Sequence, residues 1–211
     1  MKEFSKKYLE IINNKFKGLN LVSVKEFEKF EQLLVQDSIK PLSEVLKFSQ
    51  SIRSKKYIID IGFGGGFPLL PLALKNTEKT VIGIDARKKK VIAVGEIAKE
   101  LKIPNVILIH SRVEDIVIDI EATVTIKAVG DIENILKKIN TTKRLNVFFY
   151  KGPNIDKKEE YKDILSNWKN ITNEKYDLNG TDGRTIVGFQ NKNVPCGTFL
   201  KKKLVKLSTI I

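Results

Sequence analysis

The stretch DIGFGGGFP at residues 60–68 sets four glycines and a proline directly behind an aspartate. Glycines packed this densely leave a length of main chain bare, which suits a ligand lying flush against the backbone. The spacing is Asp60-x-Gly62-x-Gly64-x-Gly66, followed by Phe67. A nicotinamide-type fingerprint would need glycine at position 67, and a Walker loop would end in Gly-Lys-Ser/Thr, so neither phosphate cradle is present. Asp85 closes the next apolar run, where a carboxylate in a doubly wound fold accepts hydrogen bonds from ribose hydroxyls. The segment HSRVEDI at 110–116 follows a third apolar run, and by itself RVED reads as a solvated helix start with its acidic residues near the positive end of the dipole. His110 by itself reads as structural. With one histidine and one cysteine, Cys196, the chain is expected to hold no metal and no internal disulfide.

The elements that must position these residues are legible from periodicity. Residues 1–50 show apolar positions at helical intervals, with Gly18 expected to cap the first helix and a break near Pro41. From YIIDIG onward, short β-branched runs (TVIGID, NVILIH, ATVTIKAV, RLNVFFYKG) alternate with helical patterns (PLLPLALK, RKKKVIAVGEIAKELK, IENILKKI). Such alternation predicts a parallel sheet with helices on both faces. The end is different: ITNEKYDL, the turn signal NGTDG and RTIVGFQ predict a terminal antiparallel hairpin. The divisions read from this are a helical extension over 1–55, an α/β core over 56–192 and a basic tail over 193–211, together one structural domain.

Lys and Arg total 38 against 25 Asp and Glu, a formal charge of +13. An excess of this size favours polyanionic partners, chiefly nucleic acid. Two runs concentrate it: RKKK, with Arg87, Lys88 and Lys89, and KKKLVK, with Lys201, Lys202 and Lys203. They are the candidate RNA-binding residues, and the second run is expected to become ordered only on its partner. The first residues show no secretory apolar region, and no segment approaches the length of a membrane span. The expectation is a cytoplasmic, monomeric protein without membrane contact.

The D-x-G-x-G-x-G loop resembles the first motif of Rossmann-like class I methyltransferases that use S-adenosylmethionine. More specifically, the chain resembles the bacterial 16S rRNA guanine-N7 methyltransferases (RsmG, also called glucose-inhibited division protein B). The residues that carry this are NLVSV at 20–24, QDSIKPL at 36–42, DIGFGGGFPLLPLAL at 60–74, SRVED at 111–115, KAV at 127–129 and FYKG at 149–152. The resemblance implies a mostly parallel seven-stranded sheet ending in a hairpin. It implies S-adenosylmethionine as cofactor, S-adenosylhomocysteine as product, and the small ribosomal subunit or an assembly intermediate as partner. Cofactor contacts are implied at Gly62, Phe67, Val113 and Glu114, with a basic residue at 127 facing the reaction site. The family's usual Arg before "AV" is Lys127 here, and Phe16, Leu34 and Phe63 replace an Asn, a His and a Thr or Ser of the pattern.

Guanine N7 carries a free lone pair, so methyl transfer to it needs alignment and no general base. Lys127 and Lys151, the candidate catalytic residues, are therefore read as groups that orient acceptor or cofactor. Cytosine C5 methylation would need a nucleophilic cysteine near the loop, and Cys196 lies beyond the predicted sheet. Amino-group methylation would place an Asn/Asp-Pro-Pro-aromatic turn where this chain has IKAVGD. Two other readings stay open: a methyltransferase for another RNA or a small molecule, and a non-catalytic RNA-binding protein on the same fold.

Overall fold

The computed structural model describes residues 1–155, 162–197 and 204–211. Seven strands form the main sheet: β1 (Tyr57–Ile61), β2 (Thr80–Asp85), β3 (Val106–His110), β4 (Ala122–Lys127), β5 (Asn146–Lys151), β6 (Trp168–Tyr176) and β7 (Arg184–Asn191). Their spatial order is β3-β2-β1-β4-β5-β7-β6. The first five run parallel; β7 is antiparallel to β5, and β6 to β7, as the sequence predicts for the hairpin.

Continuous apolar runs become central strands because both sheet faces are covered. Successive residues point to opposite faces, so Ile58 and Phe148 enter one core cluster while Ile59 and Phe149 enter the other. The helices α3 (Leu69–Lys75) and α4 (Lys88–Glu100) follow β1 and β2, and the short α5 (Ile132–Leu136) follows β4.

Helix α1 (Lys2–Lys15) ends earlier than Gly18 suggests, because Phe16 leaves helical geometry (φ −125°) while its N–H still bonds Ile12 O. Beyond it lie the short turns Phe27–Phe30, Glu31–Gln36 (a wide π-type turn), Asp37–Ile39 and Pro41–Glu44, then α2 (Leu46–Ser54). Pro41 stands at the first position of its turn, where its missing N–H costs nothing. The N-terminal residues Tyr8, Phe30 and Phe48 share one cluster with Phe63, Phe67 and Leu69 of the core. The extension and the α/β core therefore have a common interior.

Residues 204–211, which follow the lysine run, are part of the folded unit. Val205–Lys206 pairs in parallel with Ile116–Val117, within a small sheet that also includes Asn140–Thr141, and Leu207 is fully buried. Lys201, Lys202 and Lys203 lie outside the described residues. Among the described residues, no helix is long and apolar enough to cross a membrane, and no three His, Cys, Asp or Glu side chains group for a metal.

Candidate active site

Between β1 and β4 the strand order reverses, and a crevice opens there at the carboxyl ends of the strands. The glycine loop forms its floor. Gly62 adopts φ +72° and donates its N–H to Ile84 O at 2.7 Å; a Cβ there would come within 2.6 Å of Val129. Tyr8, reaching in from α1, donates its hydroxyl to Gly65 O at 2.6 Å. Phe67 packs edge-on against Tyr8 and Phe30, with ring centroids 5.1 and 5.4 Å away. Phe63 is buried beneath the loop in the space left by Gly83, where an added Cβ would meet its ring at 2.7 Å. The rings at 63 and 67 thus brace the loop, and both residues also line the second hollow described below.

Asp60 stands behind the loop, fully buried. Its Oδ2 accepts from Leu69 N at 3.1 Å, the first residue of α3, and its Oδ1 from the Thr125 hydroxyl at 3.1 Å. Burial pushes its carboxyl up to about 8. This candidate cofactor residue faces inward and lines none of the hollows described below, so its action on a ligand would pass through the loop and the start of α3.

Gly62, Asp85, Val113 and Glu114 come together around a hollow of about 160 Å³. Asp85 ties its walls: Oδ2 accepts from Gly64 N at 2.9 Å and Oδ1 from Arg87 N at 2.8 Å. A carboxylate offers about four acceptor sites, which leaves capacity for a hydroxyl donor. His110 is exposed at the end of β3, its Nε2 3.2 Å from Ala86 O and outside the hollow. A second hollow of about 290 Å³ shares Gly62 and continues over Gly64 to Lys127. A Cβ on Gly64 would meet nothing nearer than Gly62 O at 3.8 Å and would project into open space. That bare main chain fits a ligand lying against it.

A third hollow, about 360 Å³, shares Lys127 and Ala128 with the second and is lined also by Asp37, Lys151 and Arg184. Lys127 is largely buried, its Nζ 2.5 Å from Asp37 Oδ2, and donates to Leu33 O at 3.2 Å. Burial pushes its ammonium down from the ordinary lysine value, and Asp37 opposes that shift. Asp37 is itself buried and accepts from the Tyr176 hydroxyl at 2.6 Å, with Arg184 Nε 3.7 Å away. Lys151 is partly exposed and donates to Gly130 O at 2.8 Å. Ala128, between the hollows, holds φ +57°, a conformation rare for a residue with a side chain and frequent at functional sites.

The two candidate catalytic lysines therefore share one hollow, adjoining the hollow of the cofactor candidates. Arg87 borders the middle hollow, while Lys88 and Lys89 are exposed on the first turn of α4. Sequence reading missed Tyr8 and Arg184 as site residues, and held Lys90, which borders the middle hollow beside Gly64, only within the run RKKK. It quoted Asp37 only within a motif. Tyr8, Asp37 and Arg184 belong to the site through contacts with residues distant in sequence, and no local pattern marks them.

The family model of GidB, rRNA small subunit methyltransferase G, matches residues 1–186. Similar curated proteins, each named ribosomal RNA small subunit methyltransferase G, include one from Clostridium tetani, 35% identical over 109 residues (52% of this chain, 44% of the relative). Another, from Pseudomonas putida, is 34% identical over 107 residues (51% of this chain, 47% of the relative). The chain spans about half the length of the curated relatives it matches. Among solved structures, a mutant of MtNAS in complex with S-adenosylmethionine superposes with TM-score 0.55 at 14% identity, over 90% of this chain and 72% of that one. A SAM-dependent methyltransferase from Aquifex aeolicus gives 0.52 at 16% identity, over 77% of this chain and 92% of that one. At these identities the structural likeness concerns the fold.

Proposed function

The chain belongs to the GidB family, and from that premise we propose that it is an S-adenosylmethionine-dependent methyltransferase acting on N7 of a guanine in 16S rRNA of the small ribosomal subunit. One observation carries the reading: a continuous crevice at the switch point of the sheet, with a nucleoside-sized recess at one end and a basic hollow at the other. On this reading Asp85 and Glu114 hold the ribose and adenine, Val113 flanks the base, and the main chain at Gly62–Gly64 takes the amino-acid portion. When bound, the cofactor supplies an electrophilic methyl group on a sulfonium.

The basic hollow takes the acceptor. N7 has no proton to lose, so the residues there align the base and exclude water. Lys127 suits orientation better than proton transfer, since Asp37 and Leu33 O already occupy two of its three N–H donors. The guanine gains positive charge as it takes the methyl, and the Asp37 carboxylate next to Lys127 offsets part of it. Arg87 at the middle hollow and the exposed Lys88 and Lys89 that follow it offer charge for the phosphates of a folded RNA.

The test is transfer of labelled methyl from S-adenosylmethionine to purified small subunits from cells lacking the gene, with the label mapped by primer extension and mass analysis. Label at a single N7-methylguanine supports the proposal. Label in other RNA or in small-molecule extracts, with none in 16S rRNA, overturns the acceptor, and no binding of S-adenosylmethionine overturns the enzyme.

A further inference from the structure

The wall that carries Val113 and Glu114 is a single turn, Val113–Asp115, followed at once by the three-residue strand Ile116–Ile118. Elements this short do not hold their own position. Around the turn, Ser111 N donates to Asp85 O at 3.2 Å, Asp115 N to Arg112 O at 3.1 Å and Asn140 Nδ2 to Glu114 O at 3.4 Å, the last already tying the turn to the small sheet. Its fixity comes from the strand, which is paired in parallel on both edges, with Asn140–Thr141 and with Val205–Lys206.

Both edges are secured by residues late in the chain. Thr141 and Cys196 exchange backbone hydrogen bonds at 2.7 and 2.8 Å. Gly197 approaches so closely that a Cβ there would lie 2.7 Å from the Asn140 Cα. On the other edge the side chains of Val205 and Lys206 are exposed, so pairing alone would be weak. The anchor is Leu207, fully buried in the core cluster that also contains Val113 and Ile116. Ser208 completes it: its N–H and hydroxyl donate to the two Asp119 carboxylate oxygens at 2.9 and 2.5 Å. Residues 204–208 all lie beyond residue 186, where the family match stops.

We infer that residues 204–208 are a positioning clasp for the nucleoside wall: through Leu207 and Ser208 they seat the strand Ile116–Ile118, which fixes Val113 and Glu114 opposite Asp85. What the wall holds rests on the cofactor reading above; the clasp does not. None of the clasp residues touches the hollow, so their effect is carried by the turn they seat.

The experiment compares Leu207→Ala and Asp119→Ala in the full chain with Ile103→Ala, a buried residue of the other core cluster. Amide hydrogen exchange at residues 113–118 and calorimetric titration with S-adenosylhomocysteine are both read. The clasp variants should weaken binding about tenfold, as expected when the competent turn is populated about one-tenth of the time, and speed exchange in that stretch by at least as much. Ile103→Ala should lower the Tm and change neither readout. Unchanged exchange at 113–118 in both Leu207→Ala and Asp119→Ala overturns the clasp. Should the unsubstituted chain bind no S-adenosylhomocysteine, the cofactor reading falls, and the exchange measurement still decides the clasp.

Discussion

Replacing Tyr8 with phenylalanine removes one oxygen from the molecule and leaves its aromatic packing in place. The ring is fully buried, 5.1 Å from that of Phe67 and 5.3 Å from that of Phe30, so Tyr8→Phe creates no cavity. What disappears is the 2.6 Å hydrogen bond to Gly65 O. Burial pushes the phenol well above its ordinary value, so the hydroxyl is a neutral donor across the working pH range. Losing such a bond and leaving a buried carbonyl short of a partner costs about 1–3 kcal/mol. That is less than the roughly 3–5 kcal/mol expected when a whole buried aromatic ring is cut to alanine. A domain with about 5–15 kcal/mol of stability survives the smaller loss. The affected carbonyl lies next to Gly64, whose N–H reaches Asp85, so part of the loss should appear in ligand binding. About 1.4 kcal/mol is tenfold in affinity. Urea unfolding should therefore show a stability drop of about 1–3 kcal/mol, and calorimetry with S-adenosylhomocysteine a binding constant weakened by up to about tenfold. An unchanged midpoint together with unchanged binding would mean that α1 does not hold the loop.

Gly65→Ala attacks the same junction sterically, since the new Cβ would lie 2.4 Å from Leu21 O; S-adenosylhomocysteine binding should fall by more than about tenfold. Gly18→Ala, with nothing within 4 Å, should leave binding as it was. Asp37→Asn strips the buried Lys127 ammonium of its carboxylate and should cost about 3–5 kcal/mol in denaturant unfolding. The double variant with Lys127→Met should recover part of that loss, and no recovery would refute the pairing as its cause. Asp60 makes stability depend on pH with a definite sign. Because its folded-state value is raised to about 8, its contribution is full below the ordinary carboxylate range and declines as pH rises towards 8. The decline is at most about 1.4 kcal/mol per pH unit. Asp60→Asn should flatten stability over that interval, and a slope that persists would assign it to other groups.

Much of the architecture could be read in advance because its signals are local. The glycine loop, Asp85 and the SRVED segment are each written in a few adjacent residues, and β-branched runs between helical patterns specify a parallel sheet wherever they occur. Contacts between distant segments left no comparable trace. Tyr8 reads as one more apolar position of a helix, and Arg184 as the opening residue of a hairpin strand. Their roles exist only once α1 lies over the loop and β7 lies beside Asp37. Residues 204–211 show the same dependence on distant contacts. A run of lysines suggests a solvated segment, while the residue that decides the matter is Leu207, one leucine whose burial depends on a surface built by Val113 and Ile116. Gly18 misled in a simpler way, since Phe16 ends the helix by turning its ring towards the core.

The knot at Asp37 has a consequence for how the molecule comes into being. The hollow around Asp85 takes its lining from residues between Ile61 and Lys138, with the clasp added only at residues 204–208. The acceptor end requires Tyr176 and Arg184 to close on a carboxylate encoded near the beginning. Contacts separated by so much chain form late, because the ends of a long loop must first be brought together. The glycine loop and Asp85 can therefore take shape while the Asp37 end is still open, and the two ends of the crevice become one site only when the hairpin, and the clasp encoded after it, have docked.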